Sequence, residues 1–308
     1  MNISIIIVNY NNCDILKQCI DSIISLTSKV TYEVIIVDNN STECDPKLVI
    51  PNDDRFTLLQ NKHNVGFSKA NNQALVVAKG KYILYLNNDT IFIENSLKKI
   101  YDYVEMLDKP SIIGCKLLNK DGSYQLSTGK FDTLLYSFSV SFFIYKLFPR
   151  SKTFNRYYSD YKNLKVPTEV DFVKGAFLFC SKNTADQLQG FDEKFFFYGE
   201  EVDFCYRFKK IGGNIVYYPL TKIIHLGGAT TEDNLLFKYE NEAKGRIQFY
   251  QKHLSGIQKY LAILFYYSGV FIRIPIYFLG GILTLKPSLI RKSLFYSYQL
   301  FIYPRNRF

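Results

Sequence analysis

The 308-residue chain is predicted to be an α/β protein built on a mainly parallel sheet with helices on both faces. Three observations predict it. Apolar, β-branched runs of strand length alternate with stretches of helical spacing. Polar clusters follow the C-terminal ends of those strands, where open α/β sheets place ligands. The composition, 47% hydrophobic and 21% charged, supports a packed core.

Ile3–Val8 is the first strand, and apolar residues at helical spacing make Cys13–Leu26 a helix. Glu33–Val37 is a second strand, ending at Asp38, and Phe56–Gln60 is a third. Phe67–Ala78 reads as a helix, Lys81–Leu86 as a strand running into Asn87-Asn88-Asp89, Ser96–Leu107 as a helix and Ile112–Leu118 as a strand. Residues 119–168 are less regular. Asn119-Lys120-Asp121-Gly122 is a turn signal, and 131–161 carries eleven aromatics, read as a mobile or acceptor-facing insertion. Order returns with a strand at Phe172–Cys180, a helix at Glu200–Ile211, a strand at Asn214–Tyr217 leading to His225-Leu226-Gly227-Gly228, and a long helix at Asn234–His253.

The tail differs. Residues 238–308 hold eleven Lys and Arg against two acids, whereas residues 1–237 are nearly balanced at 27 against 26. Tyr260–Ile272 and Ile274–Leu285 are uncharged but each falls short of the roughly 20 apolar residues of a spanning helix. Arg273-Ile274-Pro275 divides them, so two short helices lying on or shallowly in an anionic membrane surface are expected, ringed by Lys259, Lys286, Arg291 and Lys292. Nucleic acid is the other polyanion, and it is disfavoured because the aromatics interleave with long aliphatic runs. The six cysteines form no C-x-x-C pair and no zinc pattern. No signal peptide is expected from the start, which lacks a basic n-region before its apolar run, so the cysteines are expected to be reduced, in a cytosolic setting.

Four clusters carry candidate chemistry, each with an ordinary structural counterpart. Asp38, in Asp38-Asn39-Asn40-Ser41, is placed to contact a nucleobase or ribose, or to cap the following segment. Asp89, in Asn87-Asn88-Asp89-Thr90, suits one oxygen-loving divalent cation beside a diphosphate, or a simple turn. Glu200-Glu201-Val202-Asp203 opens a helix, where acids complement the dipole, the better reading on spacing alone; it follows Phe195-Phe196-Phe197-Tyr198-Gly199, an aromatic run that can exclude water and so tune a carboxylate toward general-base work. His225, beside flexible glycines, is a structural histidine or a ligand.

Together these segments resemble glycosyltransferase family 2 with the GT-A fold. The matching stretches are SIIIVNYNN at 4–12, EVIIVDNNS at 33–41, NVGFSKANN at 64–72, YILYLNNDT at 82–90, KGAFLFCSK at 174–182 and GFDEKFFFYGEEVDFCYRFKKIGG at 190–213. Within that family the chain is similar to the rhamnosyltransferase branch, which extends lipid-linked surface-polysaccharide precursors.

The resemblance implies roles. Val8, Tyr10, Asp38 and Asn40 match positions around the nucleotide, Asn64, Gly66 and Phe67 the loop that closes over the donor, and Asn88 a further donor contact. Asp89 matches the last acid of the D-x-D motif, with His225 a second metal ligand for Mg²⁺ or Mn²⁺. Glu201 matches the catalytic base, and Gly175, Glu200 and Asp203 are acceptor-side candidates. Two departures stand out: Asn87 replaces the first acid of D-x-D, and the E-D motif reads Glu200-Glu201, one methylene longer at the base.

The implied protein is an inverting, metal-dependent glycosyltransferase. Its donor is a nucleotide-sugar, dTDP-rhamnose first and a UDP- or GDP-sugar as the alternative, and its acceptor is a lipid-linked saccharide. It would sit on the inner face of the cell membrane. Residues 1–255 would form the GT-A domain, with a donor half at about 1–118 and an acceptor half at about 119–255, and 256–308 the membrane-associated tail. A processive synthase is disfavoured by the absence of Q-x-x-R-W, and a dinucleotide oxidoreductase by Asn9-Tyr10-Asn11-Asn12 where G-x-G-x-x-G would stand. A non-catalytic membrane adaptor would not need Asp89, Glu201 and His225.

Overall fold

The computed structural model describes residues 1–151, 153–155, 161–227 and 235–301. Gly228 and Asn234, named in the sequence reading, lie outside the described residues, as do 152, 156–160 and 302–308. The chain divides into two compact units, Met1–Phe131 with Asp160–Leu235, and Asp132–Ser159 with Leu236–Phe308. The boundary expected at 255/256 falls inside the second unit.

The first unit begins β1 (Ile3–Asn9), α1 (Cys13–Leu26), β2 (Tyr32–Asp38), β3 (Phe56–Gln60), α2 (Phe67–Val77), β4 (Tyr82–Asn87), β5 (Thr90–Phe92), α3 (Ser96–Glu105) and β6 (Ser111–Leu118), then the short β7 (Tyr124–Gln125) and β8 (Thr128–Gly129). The second unit supplies α4 (Leu134–Ser141) and α5 (Ile144–Leu147). The first unit resumes with β9 (Thr168–Glu169), β10 (Phe172–Val173), β11 (Phe177–Ser181), α6 (Lys182–Gln187), α7 (Glu200–Lys210) and β12 (Asn214–His225). The chain then runs through α8 (Leu235–His253), α9 (Ile257–Leu283) and α10 (Pro287–Phe301).

The main sheet is ordered β3-β2-β1-β4-β11-β6-β12-β5, with β7 on β6 and β9 on β12. β3, β2, β1 and β4 are parallel, as is β6 with β12, while β11 runs antiparallel to β4 and β6. Strands buried on both faces are continuously apolar, and β1 and β2 are buried throughout. Ile3, Ile5 and Ile7 pack with α1 (Leu16, Ile20, Ile23) and α3 (Leu97, Ile100) on one face. Ile6 and Val8 pack with α2 (Ala70, Ala74) and α7 (Phe204, Phe208) on the other. The α/β architecture with helices on both faces is therefore as expected.

Three local expectations need correcting. The strand expected at Phe172–Cys180 is broken into β10 and β11 by a turn through Gly175, because β10 pairs with β8 in a separate two-stranded sheet. β12 continues past Tyr217 to His225, with its register against β6 shifting between Tyr218 and Lys222. Finally, Cys13 and Cys44 form a disulfide where reduced thiols were expected. Cys44 lies 31 residues after Cys13, and folding brings their Cα atoms to 6.1 Å, inside the range a disulfide requires. Cys19, Cys115, Cys180 and Cys205 are free and buried, and burial pushes the Cys19 and Cys205 thiols up to about 12.

In the second unit, α9 is one 27-residue helix, not two short ones, and it is long and apolar enough to cross a membrane by length and composition. Only 17% of its most apolar window is buried. The two features expected to break it are accommodated locally. The Arg273 guanidinium donates to the carbonyls of Gly269 (2.8 Å), Val140 (2.6 Å) and Ser141 (3.2 Å), and lies 4.4 Å over the Phe143 ring. A charge so clothed no longer forces the chain into water. Pro275 removes one backbone donor but leaves the helix continuous, as prolines in apolar helices often do. The aromatic segment around 131–148 is α4 and α5 rather than irregular chain: Ser137 donates to the Ala262 carbonyl (3.1 Å) and Phe138 meets Phe265 edge-on at 5.2 Å.

Candidate active site

Strand register brings the polar clusters to one edge of the sheet. Asn9 pairs with Asp38 across β1 and β2, and Val8 with Asn87 across β1 and β4. β11 starts at the same edge, with Phe177 opposite Leu86. The Asn87 amide donates to the Ala176 carbonyl at 3.3 Å, so the end of β4 abuts the Gly175 turn.

Asp38 is buried and organises its own loop. Its carboxylate accepts from the Ser41 hydroxyl, from the Ser41 amide at 3.1 Å and from the Asn9 side chain at 3.3 Å. Asn88 donates to Asn9 at 2.9 Å, tying the β4 loop to the same cluster. The facing loop is fastened in turn: the Asn11 amide donates to Ser41 (2.7 Å), and the Asn11 side chain accepts from the Thr42 amide (2.9 Å). Asn11, Asn12 and Asn40 all adopt left-handed backbone, which asparagine tolerates better than most residues. The Cys13–Cys44 bond closes these two loops together. Val8 is buried at the base, while Tyr10 is exposed at 41%.

The Asn64–Phe67 loop is held from both sides. Asn64 accepts from the Gly66 amide (3.0 Å), Asn39 donates to the Gly66 carbonyl (3.3 Å), and the Phe67 amide donates to the Phe196 carbonyl (2.7 Å). Gly66 has φ +88°, and a Cβ there would lie 2.7 Å from the Phe196 ring, so glycine is required twice over.

Asp89 and His225 meet because β5 folds back against β12, pairing Thr90 with His225. The Leu226 amide donates to the Asp89 carbonyl (2.9 Å) and locks the corner. His225 Nε2 stands 3.2 Å from Asp89 Oδ1, yet that buried carboxylate oxygen has no hydrogen-bond partner. Asn87 Nδ2 is 3.3 Å from the same ring nitrogen. Two donor atoms each about 2.1 Å from one cation and at right angles would stand about 3.0 Å apart, so the pair fits shared coordination of a divalent metal. Among the described residues no group of three or more His, Cys, Asp or Glu gathers for a metal, so these two would be completed by substrate oxygens or water.

Glu200 and Glu201 open α7 behind Gly199, both buried, and each has one carboxylate oxygen without a partner. Burial first, and the charge of Glu201 second, push the Glu200 carboxyl well above the usual carboxylate range. The raised Glu200 carboxyl favours its protonated form, and Glu201 Oε1 lies 3.9 Å from the Lys174 ammonium. A Cβ on Gly175 would be 3.4 Å from Glu201 Cβ, so that turn packs directly on the acid. Asp203 is fully buried and bound to Arg207 (2.7 Å), which also donates to the Leu188 and Gly190 carbonyls. That network ties α7 to the preceding loop.

Contacts thus join Asp38 with Asn88 through Asn9, Asn64 with Gly66, Gly66 and Phe67 with Phe196, Asp89 with His225, and Glu201 with Gly175. Asn9, Lys174 and Gln125 were not singled out from the sequence. Asn9 and Lys174 sit inside the matching stretches and were legible there. Gln125, whose side chain reaches both His225 Nδ1 (2.6 Å) and the His225 carbonyl (3.0 Å), lies in the irregular segment after β6, where no pattern marked it.

The model of the family described as Glycosyl transferase family 2 matches residues 4–180. Among relatives, the chain is 32% identical over 117 residues to Glycosyltransferase GlyG of Streptococcus pneumoniae, covering 36% of this chain and 38% of that one. It thus spans well under half the length of that relative. It is 23% identical over 216 residues to the N-acetylglucosaminyl-diphospho-decaprenol L-rhamnosyltransferase of Mycobacterium tuberculosis, covering 66% and 69%. Among solved structures, a mannosyltransferase from Pyrobaculum calidifontis in complex with GDP-Man and Mn²⁺ aligns with TM-score 0.58 at 14% identity, over 98% of this chain and 87% of that one. The fold is GT-A.

Proposed function

The chain belongs to glycosyl transferase family 2, and from that premise we propose that it transfers a sugar, with inversion, from a nucleotide-sugar to a lipid-linked or polysaccharide acceptor in cell-surface polysaccharide synthesis. L-Rhamnose from dTDP-rhamnose is the first donor to test, in line with the rhamnosyltransferase relative. The observation that carries the reading is the buried, partnerless Asp89 oxygen facing His225 Nε2 at 3.2 Å, at the sheet edge where the donor binds.

Asp89 and His225 would hold Mg²⁺ or Mn²⁺. Bound there, the cation would neutralise charge developing on the leaving diphosphate. The Asp38–Asn9–Asn88 cluster, Tyr10, Val8 and the Asn40 turn would seat the nucleotide, and the Asn64–Phe67 loop would cover it. Glu201 acts as the base: the acceptor hydroxyl oxygen attacks the anomeric carbon, its proton passes to the Glu201 carboxylate, and the sugar–oxygen bond breaks with its electron pair leaving on the diphosphate. A single displacement inverts the carbon and needs no carboxylate nucleophile. Glu200, neutral, lowers the local negative charge that would otherwise repel the diphosphate. Gly175, beside Glu201, is an acceptor-side candidate, and Asp203 keeps α7 in register through Arg207.

α9, whose exposed residues include Leu264, Phe271 and Leu279, together with the basic residues of the tail, supports attachment to an anionic membrane surface. A lipid-linked acceptor and a place on the inner face of the membrane belong to the same proposal and accord with such an attachment. The test is a screen of dTDP-, UDP- and GDP-sugars with full-length protein, a lipid-linked acceptor and Mg²⁺ or Mn²⁺. Metal-dependent transfer from one donor is expected. Neither transfer nor donor hydrolysis with any of them would refute the enzyme.

A further inference from the structure

We propose that Gln125 is a positioning residue that holds the His225 imidazole in its Nδ1-protonated form and presents Nε2, bare, toward Asp89. The proposal rests on the divalent-cation reading above for its purpose, but its geometry stands apart from it.

The argument runs through which atoms can donate. Gln125 Nε2 lies 3.0 Å from the His225 backbone carbonyl and 2.9 Å from Asn119 Oδ1. A carbonyl oxygen only accepts, so the nitrogen of the Gln125 amide faces it and the amide cannot be turned over. The orientation of Asn119 is fixed in the same way, since its own Nδ2 reaches the Ser123 hydroxyl (2.8 Å) and the Tyr124 carbonyl (3.5 Å). The other end of the Gln125 amide is therefore an oxygen, an acceptor only, and it stands 2.6 Å from His225 Nδ1. That nitrogen must carry the hydrogen.

In a neutral ring Nε2 is then bare. The opposite side of the ring agrees: Asn87 Nδ2, 3.3 Å from Nε2, faces that lone pair as a donor in the metal-free protein, a contact that a bound cation would displace. The residue that replaces the first acid of the D-x-D motif thus supports the same tautomer. A bare Nε2 and a carboxylate oxygen 3.2 Å apart direct two lone pairs at one point, which suits a shared cation and explains the partnerless Asp89 oxygen. The scaffold is built for this contact. β7 pairs Gln125 with Leu117 of β6, and Gly227, at φ +67°, leaves room where a Cβ would come 3.2 Å from Gln125 Nε2.

The experiment is long-range ¹H–¹⁵N correlation of ¹⁵N-histidine-labelled full-length protein, chelator-treated and at a pH where the imidazole is neutral. The chain has three histidines, and His225→Asn assigns the resonance. Wild type should show His225 as the Nδ1–H tautomer. Gln125→Glu, which still accepts from Nδ1, should retain it. Gln125→Leu should lose it toward Nε2–H while keeping the wild-type thermal midpoint within a few degrees. Titration with Mn²⁺ alone, followed by electron paramagnetic resonance, should show about 10–100-fold weaker binding in Gln125→Leu and partial recovery in Gln125→Glu. An Nε2–H tautomer in the wild type, or an unchanged tautomer in Gln125→Leu, overturns the proposal. The Nδ1–H tautomer with no Mn²⁺ binding by wild type would leave Gln125 as the positioning residue and sink the cation reading instead.

Discussion

Replacing Glu200 with Gln should flatten the dependence of stability on pH. In the native protein its carboxyl is 5% exposed, has a partnerless oxygen and lies beside the charged Glu201, so it keeps its proton well above the usual carboxylate range. In the unfolded chain it ionises near its ordinary value of about 4.3. Between those two values the native state binds one more proton than the unfolded state. Stability therefore falls as pH rises, by about 1.4 kcal/mol per unit, until the native carboxyl itself ionises. For a domain of about 150–250 residues each kcal/mol moves the midpoint by about 2–4 °C. Glutamine keeps the shape and cannot ionise, so the mutant's advantage over wild type should grow by several degrees across that range. Scanning calorimetry in chelator at stepped pH reads the difference, and the protonated-carboxyl stretching band in infrared spectra identifies its source. Parallel profiles for the two proteins, or a wild-type carboxyl band that survives the substitution, would refute the assignment of the proton to Glu200.

Asp89→Ala should reduce transfer to near background and remove the metal-dependent part of donor binding; equal donor affinity with and without Mn²⁺ in both proteins would count against it. Glu201→Gln should keep donor binding, measured by calorimetric titration, and lose transfer by about 10²–10⁴-fold. If Glu200→Gln is the variant that loses transfer, the two acids have exchanged roles. Full-length protein should float with anionic vesicles and be released only in part by high salt, because apolar insertion is not screened. Complete release would indicate a purely electrostatic tail. Reduction of the Cys13–Cys44 bond, which closes a loop of sequence separation 31, should lower stability by roughly 3–4 kcal/mol, read by denaturant unfolding with and without reductant.

The parallel half of the fold was legible because it is built from local signals. β1, β2 and β4 are runs of Ile, Val, Leu and Tyr that end at Asn or Asp, and the matching helices carry clear apolar stripes. The misread elements depend on distant partners. β10 is separated from β11 because it pairs with β8, and two residues of strand carry no periodicity. α9 looked divided because Arg273 counts as a break in sequence, yet three carbonyls, two of them from α4, receive its guanidinium. The site followed the same rule. Asp38, Asp89 and Glu201 stand in stretches that announce themselves, whereas Gln125 is recognised only when β7 turns it onto His225. The raised Glu200 carboxyl likewise depends on burial, which spacing along a helix does not reveal.

The discontinuous second unit has a consequence for how the chain is made. β12 joins β6 in parallel, with Asn214 opposite Ser111, and α4 awaits the Ala262 carbonyl, 125 residues after Ser137. At translation rates of about 5–20 residues per second, roughly 5–20 s pass between the emergence of β6 and that of its parallel neighbour. For that interval β6, although β7 and β11 emerge sooner, lacks its parallel neighbour, and the aromatic-rich α4 lacks the segment of α9 that it packs on. Parallel pairings between distant segments are also slow to close. Newly made chains should thus depend on holdase chaperones, and on early contact with a lipid bilayer, more than their moderate length suggests.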